Sequence, residues 1–274
     1  MNRTSTLIAL GLAVAVIGAA ALYWRHQAQP PALVSEAPAA SLVVAAPASA
    51  AASAAPAIRY PVPSAAASAA APPAGVDAML ADLFGRKAVL SMFQTQDFPR
   101  RFVATVDNLG AVHTSAALWP INPTAGRFKV DKRGDAEVIG ADNGLRYTPF
   151  VLLFENVDLP NAVAAYTRFY PQLQAAYEDL GYPGRYFNDR LVAVIDLLLA
   201  TPEPSAPVQV RLPEINGPVQ PERPWILYEF DDARFAALPA GQKILLRMGP
   251  VNERRIKARL TELRKLLTAG APAR

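Results

Sequence analysis

The sequence contains no cysteine. That excludes a disulfide framework, a lipid-attachable thiol and thiolate metal ligands. Histidine is nearly as scarce, with only His26 and His113. His26 lies beside an apolar run, and His113 has no second histidine or cysteine at metal-ligand spacing, so neither a metal nor a cofactor is expected. G-x-S-x-G, a P-loop and a dinucleotide fingerprint are also missing. A strong charge imbalance is missing too: 27 Lys and Arg stand against 23 Asp and Glu, a net charge of +4. Arg3, Arg25 and Arg59 outweigh Glu36 in the first 75 residues, leaving about +2 on the remainder, too little to mark a nucleic-acid surface.

What is present begins at the N-terminus. Residues 1–6 form a short tail, and residues 7–24 read LIALGLAVAVIGAAALYW without a charge. As a helix the run would be about 27 Å long, enough to cross a bilayer core. Tyr23 and Trp24 suit the interfacial depth, with Arg25 and His26 beyond them. Ala19-Ala20-Ala21 also resembles a signal-peptide cleavage site. An uncleaved anchor is the favoured reading, and either reading exports everything after residue 25. The expectation is a single-pass protein of the bacterial inner membrane, with its C-terminal part in the periplasm.

Residues 25–75 are dominated by Ala, Pro and Ser. Repeated proline removes amide donors and blocks helix propagation, and large apolar residues are too few to offset the entropy of ordering. A disordered spacer is expected, reaching roughly 40 Å when coiled and roughly 150 Å when extended. Ile58-Arg59-Tyr60-Pro61-Val62-Pro63 alone interrupts the monotony. It reads either as a docking motif or, more simply, as stray apolar residues in a linker.

Residues 76–274 are long enough for one globular domain. Helical spacing dominates it. Val76, Met79, Leu80, Leu83 and Phe84 open a helix that resumes after Gly85, and Asp97 looks like the cap of a second. Residues 161–180 carry a stripe through Tyr166, Phe169, Tyr170, Leu173 and Tyr177, with Pro171 expected to kink or split it. Further helices are expected over about 188–200 and from Asn252 onward, the last aligning Ile256, Leu260, Leu263 and Leu267. Residues 128–130 and 137–139 read as a hairpin, and 225–230 as another strand. Gly184, Gly241 and Gly249 read as turn or cap glycines. The fold class is mainly α (α+β), a compact multi-helix domain with a small β element.

Candidate sites are few. Asp196 interrupts the apolar run LVAVIDLLLA, where a carboxylate is costly to bury. It is expected to face the core and pair with Arg100, Arg101 or Arg247, or else to act as an acid. Asp189, seven residues earlier, lies on nearly the same helical face. The two are the weak catalytic candidates. Tyr182, Tyr186, Asn188 and Arg190 combine rings with polar groups that can stack on a sugar or hold a peptide, and they are the weak binding candidates. The simpler reading has them closing the core at an inter-helix turn. In the last helix Arg254, Arg255, Lys257, Arg259, Arg264 and Lys265 form either a surface for anionic lipid or polymer, or a solvated face with late cations complementing the helix dipole.

Three blocks, RRFVATVDNL at 100–109, AYEDLGYPGRYFNDRLVAVIDLLL at 176–199 and GQKILLRMGPVN at 241–252, together resemble the bacterial domain-of-unknown-function 3014 family. The resemblance spans about residues 76–268. It implies the same organisation of membrane segment, low-complexity linker and domain, and it implies no activity. The leading expectation is therefore an exported domain that binds a partner protein or a cell-wall component. The alternatives are a carboxylate-dependent hydrolase using Asp189 and Asp196, and a purely structural module.

Overall fold

Helical periodicity builds most of the described chain, and glycine or proline stands at many of the boundaries. The computed structural model describes residues 57–63, 75–214 and 221–270. The apolar run 7–24 lies outside them, as does most of the Ala/Pro/Ser stretch. Among the described residues no helix is long and apolar enough to cross a membrane.

Helices α1 (Val76–Phe84) and α2 (Arg86–Met92) are separated by Gly85 at φ 81°, a conformation that glycine adopts without a side-chain penalty. Helix α3 (Phe98–Leu109) starts after Asp97, as expected, but not by the expected device. Asp97 sits at φ 54° and its carboxylate caps nothing. The hairpin of β1 (Val130–Arg133) and β2 (Ala136–Ile139) follows, antiparallel with Val130 opposite Ile139. Next come α4 (Thr148–Asn156), α5 (Leu159–Asp179) and α6 (Phe187–Leu199). Strands β3 (Gln209–Arg211) and β4 (Glu229–Phe230) complete an antiparallel sheet in the order β1-β2-β3-β4. A short α7 (Ala233–Ala236), then α8 (Ala240–Met248) and α9 (Pro250–Thr268), close the described chain.

The fold is thus mainly helical with a small four-stranded sheet. Helices α3, α5, α6 and α9 pack on one another around Val103, Tyr170, Leu173, Phe187, Val192 and Ile256. The sheet has its own smaller core, where Val210 and Phe230 meet Leu246 of α8. Ile256, Leu260 and Leu267 of α9 are buried, and Leu263 packs beside them, as their spacing predicts.

Four sequence expectations change. Pro171 neither splits α5 nor ends it. It faces solvent, where water can satisfy the carbonyl that loses its donor. The strand expected over 225–230 shrinks to β4, because Pro224 opens a 3-10 turn through Ile226. Gly249 is the expected junction glycine at φ 81°, but Gly241 is neither turn nor cap. It lies within α8, where a Cβ would stand 2.6 Å from Leu198 Cδ2 and 3.2 Å from the Leu109 carbonyl oxygen, so its bareness admits α8 against α3 and α6. Finally, residues 57–63 belong to the same compact unit as the helices, Ser53–Arg274. Tyr60 and Val62 pack against the helical core, although composition assigns them to the spacer.

Candidate functional site

The site is built on the first turn of α6, whose exposed backbone donors are capped from outside. No side chain of its own N-cap residue, Tyr186, does so. Instead Gln174 of α5 accepts from Phe187 N at 2.9 Å, and the Tyr170 hydroxyl accepts from Asn188 N at 3.2 Å. Tyr170 in turn donates to Gln174 Oε1 at 3.0 Å, and Gln174 Nε2 donates to Arg185 O at 2.7 Å. Two of the donors that a helix start leaves unpaired are thereby satisfied, and the turn is locked to α5. Phe187 has no exposed surface and packs near Tyr177 and Phe102, anchoring the same turn to the core.

With the backbone held, the side chains of Tyr186, Asn188 and Asp189 meet the backbone of residues 59–62. Asn188 is fully buried. Its Oδ1 accepts from the Tyr166 hydroxyl at 3.0 Å, and its Nδ2 donates to the Tyr60 carbonyl at 2.8 Å. The Tyr60 carbonyl needs a donor, which fixes the orientation of the amide. The two Asp189 carboxylate oxygens accept from the backbone amides of Arg59 and Tyr60, at 2.9 and 2.8 Å. The Tyr186 hydroxyl accepts from Val62 N at 2.8 Å.

The bound segment is matched to this surface residue by residue. The chain bends at Arg59 and Tyr60, which turns both amides toward Asp189, and from there Tyr60 and Val62 are half-buried while Pro61 and Pro63 are exposed, an alternation of period two. Each inward residue precedes a proline, which biases it toward extended backbone before it docks. From Arg59 to Pro63 every backbone N–H is either bonded or, at the two prolines, absent. Gly270 lies beneath the prolines, its missing Cβ 3.6 Å from Pro61 O.

The remaining candidates are placed differently. Tyr182 donates to Asp107 Oδ2 at 2.9 Å, and Arg190 Nε donates to Asp107 Oδ1 at 2.8 Å. Both tie α6 and its preceding turn to α3, which is a structural task. Asp196 does not face the core, as expected from its apolar neighbours, but is exposed and paired with Arg264. Its side chain projects from the polar side of an otherwise apolar helix, so it avoids desolvation altogether. Asp189 and Asp196 therefore lie on one helix but have separate partners. His113 is exposed. Among the described residues no group of acidic or histidine side chains is arranged to hold a metal.

The tyrosines behind the site are held protonated. Burial, aided by one another's proximity, pushes the Tyr166 hydroxyl far above its ordinary range. Burial does the same at Tyr170, opposed in part by the Asn188 amide. Both remain hydrogen-bond donors at any physiological pH. Of the α9 cations, Arg255 pairs with Glu155, Lys257 with Glu203 and Glu253, Arg259 with Glu262, and Arg264 with Asp196. These four are partly buried and three of them tie α9 to other segments, so they are not the solvated face that the spacing suggests; Arg254 and Lys265 are the exposed ones.

What sequence reasoning missed is the partner. The sequence signals Tyr186, Asn188 and Asp189, whereas Tyr166 and Tyr170 enter only as members of the 161–180 stripe and Gln174 carries no signal of its own. The available signal was the Tyr-Pro-Val-Pro run, whose alternation and prolines specify an extended peptide. No curated protein matches the chain, and no solved structure does. A family profile does match, over residues 98–264, which include α3 to α6, the sheet and most of α9. That is more than half of the sequence, and the chain belongs to this family, described as protein of unknown function (DUF3014).

Proposed function

We propose that this is a single-pass, membrane-tethered protein of the bacterial cell envelope, whose exported C-terminal domain binds a partner protein in the periplasm. The observation that carries the binding half is the engagement of Tyr186, Asn188 and Asp189 with peptide backbone. Recognition through main-chain hydrogen bonds with side chains pocketed at alternate positions is a general way to hold an extended peptide. The export half rests on the uncharged run 7–24 and the spacer after it. A hydrolase using Asp189 and Asp196 has less support, because both carboxylates already have partners and those partners differ.

The test places a photo-crosslinking residue at Arg185, exposed beside the site, in intact cells. The expected outcome is a discrete protein adduct in the inner-membrane fraction, with the domain digested by protease added from the periplasmic side. Recovery of the chain in the cytoplasm, or no adduct above background, overturns the reading.

A further inference from the structure

We propose that the surface formed by Tyr186, Asn188 and Asp189 is a recognition site for extended peptides of the form Tyr-Pro-aliphatic-Pro, and that residues 57–63 are its resident, exchangeable occupant. The proposal rests on the binding reading above and names the ligand class. Three features carry it. First, the surface is complementary to backbone rather than to a particular side chain, reading N–H at positions 59, 60 and 62 and C=O at position 60. Second, the supporting polar shell is built within the helical body. Tyr166, Tyr170 and Gln174 position Asn188 and the α6 turn through contacts that do not involve the segment. Third, the occupant is small. Four hydrogen bonds and two half-buried side chains hold it, while Ile58 is 52 % exposed.

Exchange requires an open minor state, which a gap of a few kcal/mol populates at about 0.1–10 %. Residues 64–75 join the segment to α1, and a connection that short sets an effective concentration on the order of millimolar. A free peptide of the same sequence is therefore outcompeted in the native chain. A partner that presents the motif at high local density, or with further contacts, displaces the segment. Displacement frees the spacer from its attachment point near α6, so the same event that fills the site lengthens the reach of the domain from residue 24.

The hydrogen-bond pattern sets the specificity. Proline is accepted at positions 61 and 63, where no donor is used, and is excluded at 60 and 62, where its missing N–H would leave Asp189 or Tyr186 without a donor. A one-residue slip of the peptide is excluded by the same logic.

The test uses the full-length chain in detergent and a fluorescent peptide spanning residues 57–63, read by polarisation. Tyr60→Pro with Val62→Pro removes two of the resident segment's three donors without touching the helical body. The peptide is expected to bind this variant at least tenfold more tightly than the native chain. Asp189→Asn added to it, which turns one acceptor into a donor facing an amide, is expected to weaken binding at least tenfold. A peptide N-methylated at Val62 is expected to weaken equally and leaves the protein unchanged, so misfolding cannot explain the loss. No binding to the Pro variant would mean that residues 57–63 are a fixed part of the fold, and the proposal fails. Equal binding to both chains, or indifference to N-methylation, would place the peptide elsewhere, and the proposal fails again. An Arg185 adduct that persists when peptide binding fails would leave partner binding standing through contacts other than this peptide, whereas loss of both removes the broader reading as well.

Discussion

Two buried asparagines, both without exposed surface, show how similar chemistry serves two ends. Asn143 joins the sheet to the helices. Its Oδ1 accepts from Lys129 N and Arg146 Nη1, each at 3.1 Å, and its Nδ2 donates to the Arg247 carbonyl at 2.9 Å. All of these partners lie within the folded body, between the hairpin entry, the turn before α4 and the end of α8. Asn188 is equally buried, but its donor goes to Tyr60, in a segment that composition assigns to a spacer. The first network is closed on itself. The second is completed by a piece of chain arriving from outside the helical body, and this is why it, rather than the first, reads as a binding site.

The largest effect expected from breaking this comparison is at Asn143. Asn143→Leu leaves Lys129 N and the Arg247 carbonyl, both partly buried, without this partner, and should cost about 2–3 kcal/mol of stability. Thermal or urea unfolding measures it, and a loss below about 1 kcal/mol would mean that water replaces the side chain. Asn188→Ala should cost less overall, about 1–2 kcal/mol, and its signature is local. The chain should become susceptible to cleavage at Arg59 under brief trypsin treatment while the helical body stays intact. If Asn143→Leu exposes Arg59 as readily, the two networks are not separable.

A smaller effect concerns pH and lies away from both asparagines. Glu253 is 1 % exposed, and burial, opposed by Lys257, holds its carboxyl above the ordinary value of 4.5. A group raised on folding contributes stability that is fully present below its unfolded value and is lost as pH rises through its folded value. Glu253→Gln should therefore flatten the fall of the melting temperature with pH just above 4.5. Glu155 and Glu203, held below 4.5 chiefly by hydrogen bonds from Arg255 and Lys257, run the other way. Their contributions are present above 4.5 and are lost as pH falls through their folded values. An unchanged slope above 4.5 in the Gln variant would remove Glu253 as the cause. Smallest of all is the Asp196–Arg264 pair, whose side chains are 46 % and 34 % exposed. Asp196→Asn should change stability by about 0–1 kcal/mol, a result that would also sit poorly with a catalytic role if function persists.

Much of the helical frame was legible in the sequence because its signal is local. The stripes of α5 and α9 follow from 3.6-residue spacing, and the hairpin from two short apolar runs around a turn. Helices α4 and α8 were not foreseen. The run TPFVLLFEN of α4 is apolar on nearly every side, so period alone does not separate helix from strand. In α8 a glycine near the start argued for a turn, and only the approach of Leu198 and Leu109 explains it. Asp196 was misplaced for a related reason: apolar neighbours in sequence do not say which side of a helix a residue occupies.

The sequence by itself determined the inventory. It supplied an uncharged N-terminal run, an Ala/Pro/Ser stretch, a helix-rich domain without cysteine, and a Tyr-Pro-Val-Pro segment predisposed to be extended. Those properties follow from composition and from spacing over a few residues. Only the tertiary structure decided that Tyr60 and Val62 meet Tyr186, Asn188 and Asp189, which lie more than a hundred residues later in the chain. That encounter depends on α5 capping α6, on Phe187 seating the turn in the core, and on Asn188 being oriented by Tyr166. None of these is a local property of either segment, because each depends on which donors and acceptors remain unsatisfied once the helices have packed.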